Sequence, residues 1–278
     1  MPSATPAHTT LTEAQVAEFR AHGFLHLPAA FAAADAAAIA KAIWRHLREK
    51  NGVDRDDPST WDRSWDGIQP VASRPLFQRI ASARLRGAID QLVGADNWTP
   101  PRRWNMIRAS PPKPATTPWS VPAAGWHHDA APGTGLMLFI LFSDLHPRGG
   151  GTLVVTGAHR LLAPFLADPR MAALPCRAQK ARFVAAHPWL ARLTGLAPRS
   201  AHGLEFLVPE RDADGVELSV REITGAAGDV IICPAETWHV APSHHAGAPR
   251  CLSIKVLRTR RPVWFGDRQA AEGCSTAT

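Results

Sequence analysis

The sequence predicts a mainly β fold: a double-stranded β-helix, or cupin-like jelly roll, with a helical flank. Three observations predict it. Helical signals dominate up to Val93. From Arg102 onward, short apolar segments punctuated by glycine, proline and aspartate read as strands. One helical stretch, 161–196, interrupts that strand series. Helices first and a run of mostly antiparallel strands after is the order such a barrel requires.

The elements follow in chain order. Residues 1–10 carry no pattern and are expected to be disordered. Thr12 is placed to cap a helix over Glu13–His22, and Thr-Glu-Ala-Gln has the form of a capping box. Gly23 ends that helix, and Phe24–Pro28 reads as a short strand. Ala32–Lys50 is alanine-rich with Ile39, Ile43 and Leu47 at helical spacing, which predicts an amphipathic helix. Pro75–Ser82 and Leu85–Val93 are further helical stretches. Trp104–Ala109 is the next strand, and the proline- and threonine-rich segment Pro111–Pro122 is a loop expected to form part of a cavity rim.

Gly135–Leu145 is a long apolar run, consistent with a strand buried on both faces. A glycine turn leads into a strand at Thr152–Val155. Leu161–Leu196 then reads as a helical insertion, for which a lid and a packing helix outside the barrel are equally compatible. Strands are expected again at Leu204–Val208, Glu217–Ile223, Asp229–Cys233 and Cys251–Leu257. No internal repeat or linker divides the chain. The expected organisation is a disordered 1–10, a single domain over 11–265 with an insertion at about 161–196, and a flexible tail at 266–278.

Composition narrows the class. With 278 residues and 45% apolar content the chain can bury a substantial core. It has no apolar run long enough to span a bilayer and no evident signal peptide. Cys176, Cys233, Cys251 and Cys274 are scattered, and Cys233 and Cys251 lie in apolar runs that predict buried thiols. A cytoplasmic protein is the expectation. The formal charge is +7 and the pI about 9.9. The cations are dispersed without a long basic run or recognised nucleic-acid motif, so a small-molecule partner is expected, with neither nucleic acid nor membrane. Oligomeric state is not readable.

Two segments carry the chemistry: Gly125-Trp-His127-His128-Asp129, and Gly228-Asp229 followed by an apolar run to Trp238-His239. Two imidazoles and one carboxylate are the ligand set of the mononuclear iron facial triad. In an extended chain, residues i and i+2 share a face, so His127 and Asp129 can reach one metal while His128 points away. Gly228-Asp229 reads as a turn feeding a strand whose continuation delivers His239. Arg250, at the start of the next apolar run, is placed to grip a carboxylate at some distance from the metal. A surface polar pair at His127/Asp129 and a surface arginine at 250 are the bland readings of each motif taken alone.

Together these segments resemble the phytanoyl-CoA dioxygenase family of Fe(II)/2-oxoglutarate oxygenases. Leu11–Pro28 resembles the family's opening helix and strand, Trp126–Asp129 its His-x-Asp motif, and Gly149–Arg160 its glycine turn, strand and Pro-Gly-Ser-His-Arg element. Gly228–His239 and Arg250 resemble its distal ligand and cosubstrate arginine. Thr156 and Ala158 stand where proline and serine are usual, and Ala241 where a small polar residue is frequent, with Ser243 nearby.

The resemblance implies Fe(II), 2-oxoglutarate and O2, with His127, Asp129 and His239 as metal ligands. Arg250 would hold the remote carboxylate of 2-oxoglutarate, with Thr152, Ser243 and Asn105 as candidate hydrogen-bond partners. Oxidative decarboxylation to succinate and CO2 with hydroxylation of a small molecule is the implied activity. Retention of Asp129 argues against halogenation, since related halogenating enzymes replace that carboxylate. His128, Trp119, Trp126 and Trp264 are candidate pocket residues, as is Trp238, with buried aromatic packing the more common fate of such tryptophans. His159 is expected to order its turn, and His244 and His245 to face solvent. A non-catalytic jelly-roll binder and an AlkB-like nucleic-acid demethylase are the competing readings. A zinc hydrolase is weaker, because it leaves Arg250 unexplained.

Overall fold

The computed structural model describes residues 10–104, 106–112, 118–244 and 247–266. The N-terminal flank comprises α1 (Glu13–His22), β1 (Leu25–Leu27), α2 (Ala33–Asn51) and α3 (Ala83–Val93). Thr12 caps α1 as expected: its side chain accepts from Gln15 N–H, and the Gln15 side chain accepts from Thr12 N–H. Gly23 ends α1 in the left-handed conformation that glycine adopts without strain. Pro75–Ile80, read as helical, forms a 3-10 helix.

The strands are β2 (Ile107–Ser110), β3 (Gly135–Leu141), β4 (Leu153–Thr156), β5 (Glu210–Arg211), β6 (Glu217–Glu222), β7 (Val230–Pro234), β8 (His239–Val240) and β9 (Arg250–Arg258). They form two sheets, β1-β7-β3-β9-β2 and β5-β6-β4-β8, antiparallel in each pairing of named strands. The insertion supplies α4 (Ala158–Ala167), α5 (Pro169–Ala172), α6 (Cys176–Ala186) and α7 (Pro188–Leu193).

Side-chain alternation divides the core into layers. All seven residues of β3 are buried. Leu136, Leu138 and Ile140 pack against the helical flank, with Phe19, Ile39 and Ile43. Met137, Phe139 and Leu141 pack into the space between the sheets, with Val154, Ile231, Cys233 and Ile254. A third layer joins the outer face of the smaller sheet to the insertion through Val155, Val220, Phe183, Leu190 and Trp238. The apolar run of β3 is thus explained by burial on both faces. Cys233 and Cys251 are buried free thiols.

One strand expectation fails. Leu204–Leu207 is a 3-10 helix, closed by Phe206 N–H to Gly203 O and Val208 N–H to Glu205 O. Only Phe206 is buried there, while Leu204, Leu207 and Val208 are exposed. A short apolar run does not itself distinguish strand from turn, and among the described residues no strand pairs with this segment. The extended chain resumes at β5 instead. Residues 1–9 and 267–278, and with them the expectations for the two termini, lie outside the described residues.

The Gly228-Asp229 turn braces the flank against the larger sheet. Asp229 accepts from Ala29 N–H and Ala226 N–H and bonds the His26 ring at 2.8 Å. Burial works to raise its pKa, but these bonds outweigh it and hold the carboxyl below its ordinary value. Gly228 has φ 99°, and a side chain there would meet the Phe31 carbonyl oxygen. No helix among the described residues is long and apolar enough to cross a membrane.

Candidate metal centre

His127, Asp129 and His239 each offer one ligand atom, and these atoms lie within 4.8 Å of one another. Asp129 sits between the rings, with Oδ1 3.6 Å from His127 Nε2 and Oδ2 3.6 Å from His239 Nε2. Those separations are too long for hydrogen bonds. They leave room for a shared cation about 2 Å from each donor.

The backbone explains the convergence. His239 pairs with Val154 across β8 and β4. Val154 faces the space between the sheets, so His239 turns inward with it, while Val240 packs outward with Trp238. The regular strand expected at His127–Asp129 is reduced to one antiparallel bridge, His127 with His239. Pro122 lies shortly before it and Pro132-Gly133 shortly after, which shortens the extended run.

Both rings are held in one tautomer. His127 Nδ1 lies 2.8 Å from Gly125 O and His239 Nδ1 3.0 Å from Thr237 O. A carbonyl only accepts, so each Nδ1 carries the proton and each Nε2 keeps a lone pair toward Asp129. Burial lowers the pKa of His239, against the opposing pull of the Thr237 carbonyl, and favours the neutral, ligating ring. Two imidazole nitrogens and one carboxylate fit a divalent iron.

Arg250 opens β9 directly opposite Ser110 of β2. Leu252, Ile254 and, at its edge, Val256 face the inter-sheet layer, and alternation puts Arg250 on that face. Its Nε donates to Ser110 Oγ at 2.8 Å. Its Nη1 is buried without a partner among the described residues. Burial pulls its pKa down to about 10, and the charge of Glu222 opposes the fall. A buried guanidinium with one unsatisfied nitrogen suits an anion. Ile254 pairs with Phe139, whose ring meets the His239 ring edge-on at 6.3 Å. From Ile254 to Arg250 is about 13 Å of strand.

The other predicted residues are placed as follows. Thr152 is buried just before β4, on the face of Val154 by alternation, and its carbonyl accepts from Ile223 N–H. Ser243 lies half-buried between β8 and β9. Asn105 and His245 lie outside the described residues. His128 is half-buried, with Nδ1 3.0 Å from Ala130 O and its ring 6.3 Å from Trp238. Trp126 is buried in the outer layer, its Nε1 donating to Pro122 O. Trp119 packs partly buried against that layer. Trp264 is 42% exposed and covers Gly133. His244, expected in solvent, is buried, with Nδ1 3.0 Å from Pro111 O, because its loop folds back onto the β2 end. His159 is buried and bonded to Arg20 O.

Three residues were not anticipated. Ser110 is recognisable only once the β2–β9 register is known. Glu222 accepts from Arg148 N–H and Gly151 N–H and so holds the glycine turn before Thr152. Lys180 of α6 donates to the Trp126 carbonyl and lies 5.4 Å over the Trp238 ring. It ties the insertion to the segment just before His127.

The family model described as phytanoyl-CoA dioxygenase matches residues 19–251. Among curated proteins, none matches the chain. The fold is similar to that of crystal structures of EctD from S. alaskensis. With bound Fe, that protein is 18% identical with a TM-score of 0.52, over 95% of this chain and 84% of that one. With 2-oxoglutarate and 5-hydroxyectoine it is 17% identical with a TM-score of 0.50, over 96% and 84%.

Proposed function

The chain belongs to the phytanoyl-CoA dioxygenase family, and we propose that it is an Fe(II)/2-oxoglutarate-dependent dioxygenase hydroxylating an unactivated C–H bond of a small molecule. Succinate and CO2 are the co-products. The observation that carries this reading is the convergence of His127, Asp129 and His239 with both Nε2 lone pairs turned to one point. Iron held there supplies dioxygen activation, coupled to oxidative decarboxylation of the cosubstrate.

The chain's own residues do the rest. The Gly125 and Thr237 carbonyls orient the imidazoles and fix the proton of each on Nδ1. Asp129 contributes one negative charge and completes a three-ligand face. Arg250, steered by Ser110 Oγ, receives the remote carboxylate of 2-oxoglutarate through its unsatisfied Nη1. Thr152 and Ser243 supply polar contacts along the cosubstrate. Met137, Phe139 and Ile254 form an apolar wall between the two ends and exclude water. The buried free thiols Cys233 and Cys251 suit a reducing, cytoplasmic setting.

Anaerobic titration of the Fe(II)-loaded protein with 2-oxoglutarate, followed by visible absorbance, tests the reading. A weak metal-to-ligand charge-transfer band is expected. Proven iron loading without the band would overturn it in favour of a non-catalytic metal-binding jelly roll.

A further inference from the structure

Each histidine of the metal centre is preceded by a tryptophan, Trp126 before His127 and Trp238 before His239. Alternation sends these two side chains to the face opposite the ligands. Both indoles are buried in the outer layer, together with Phe183 and Leu190 of the 161–196 insertion. The insertion therefore packs behind the ligand pair.

The backbone that carries the two rings is short. His239 belongs to a strand of two residues, and His127 joins it through a single antiparallel bridge. A pairing of that length is marginal on its own. His127 spends both of its backbone groups on His239, so the Trp126 carbonyl turns to the other side of its chain. No backbone N–H among the described residues donates to it. Its donor is the ammonium of Lys180, from α6.

The same ammonium lies 5.4 Å over the Trp238 ring. Phe183, three residues on and so on the same side of α6, is fully buried with its ring 5.5 Å from Trp238. One lysine thus touches the neighbour of each imidazole ligand. Its bond to the carbonyl is charge-assisted, roughly twice as strong as a neutral one. Metal donors must be held to within about 0.5 Å of their working geometry. Lys180 supplies here the restraint that a longer strand would supply by pairing.

We propose that Lys180 is a positioning residue of the metal centre, holding the His127–His239 bridge through the Trp126 carbonyl and the Trp238 ring, and that the insertion is a clamp behind the ligands whose order is linked to metal occupancy. The inference rests on the reading of His127, Asp129 and His239 as metal ligands. Linkage is reciprocal: if the clamp favours metal binding, bound metal tightens the clamp by the same factor.

The test uses Co(II), which accepts the same nitrogen and oxygen donors and reports their geometry in its visible absorption. Lys180→Met is expected to weaken Co(II) binding by roughly tenfold or more and to alter the Co(II) spectrum. Lys180→Arg should restore most of the affinity and the parent spectrum, because a guanidinium also donates to a carbonyl and stacks on an indole. A role in packing alone would lower the melting temperature and leave the Co(II) spectrum as it is. In the unmodified protein, Co(II) is expected to slow amide hydrogen exchange in α6 by roughly fivefold or more. That measurement decides the matter even where Lys180→Met fails to fold. Parent-like Co(II) affinity and spectrum in Lys180→Met, or exchange in α6 that ignores Co(II), would overturn the proposal and leave the metal centre standing. Failure of the unmodified protein to bind Co(II) would instead overturn the ligand assignment, and the clamp with it.

Discussion

His127 and His239 exchange both of their backbone hydrogen bonds: His127 N–H donates to His239 O at 3.1 Å, and His239 N–H to His127 O at 2.8 Å. The two imidazoles therefore rise from one residue pair, on Cα atoms about 5.5 Å apart. A one-residue slip in this register would turn one ring to the opposite face and dissolve the constellation.

Asp129 and His127 are expected to be indispensable. His127→Ala or Asp129→Ala should reduce iron-dependent succinate formation to background. Wild-type-like turnover in either variant would remove that residue from the ligand set.

Arg250→Ala should weaken 2-oxoglutarate binding by roughly thirtyfold, about 2 kcal/mol for a charge-assisted bond. Iron affinity should be unchanged. Arg250→Lys should recover part of the loss, because it restores charge without the planar fork. Equal cosubstrate affinity in Arg250→Ala and wild type would refute the assignment.

His159 predicts a stability loss on the acid side. Burial pushes its pKa from 6.5 down to about 4, although the Arg20 carbonyl favours the protonated ring. The unfolded chain thus takes up the proton first as pH falls. The contribution is complete above pH 6.5 and is lost progressively toward about 4, amounting to at most about 3 kcal/mol. His159→Gln should flatten the denaturation midpoint over that window. An unchanged slope would show that the group does not act this way.

Glu236 acts with the opposite sign. Burial raises its pKa from 4.5 to about 7, and its Oε2 is buried without a partner among the described residues. Its contribution is fully present below pH 4.5 and is lost as pH rises through about 7. Glu236→Gln should therefore be more stable than the parent at alkaline pH, by no more than about 3 kcal/mol. The difference should vanish below pH 4.5. Melting curves at the two extremes measure it, and a variant less stable at alkaline pH would contradict the burial argument.

What was legible in the sequence was local. Thr12 and Gly23 mark the ends of α1 through their own chemistry, and the unbroken apolar run of β3 reports burial on both faces. The grouping of His127, Asp129 and His239 could be proposed from the sequence because spacing and residue type suffice for it. Leu204–Val208 was misread because its apolar residues carry no period and only Phe206 finds the core. The burial of His244 and the bond from Arg250 to Ser110 depend on which loops and strands become neighbours. Spacing along one chain carries none of that.

The brevity of β8 has a consequence for the behaviour of the chain among its copies. This strand closes one side of the smaller sheet with only two residues, and on its free flank one of them is already taken by His127. A foreign strand would find too few open backbone groups there to dock. The bridge that sets the two imidazoles side by side also protects the rim of the barrel against edge-to-edge aggregation.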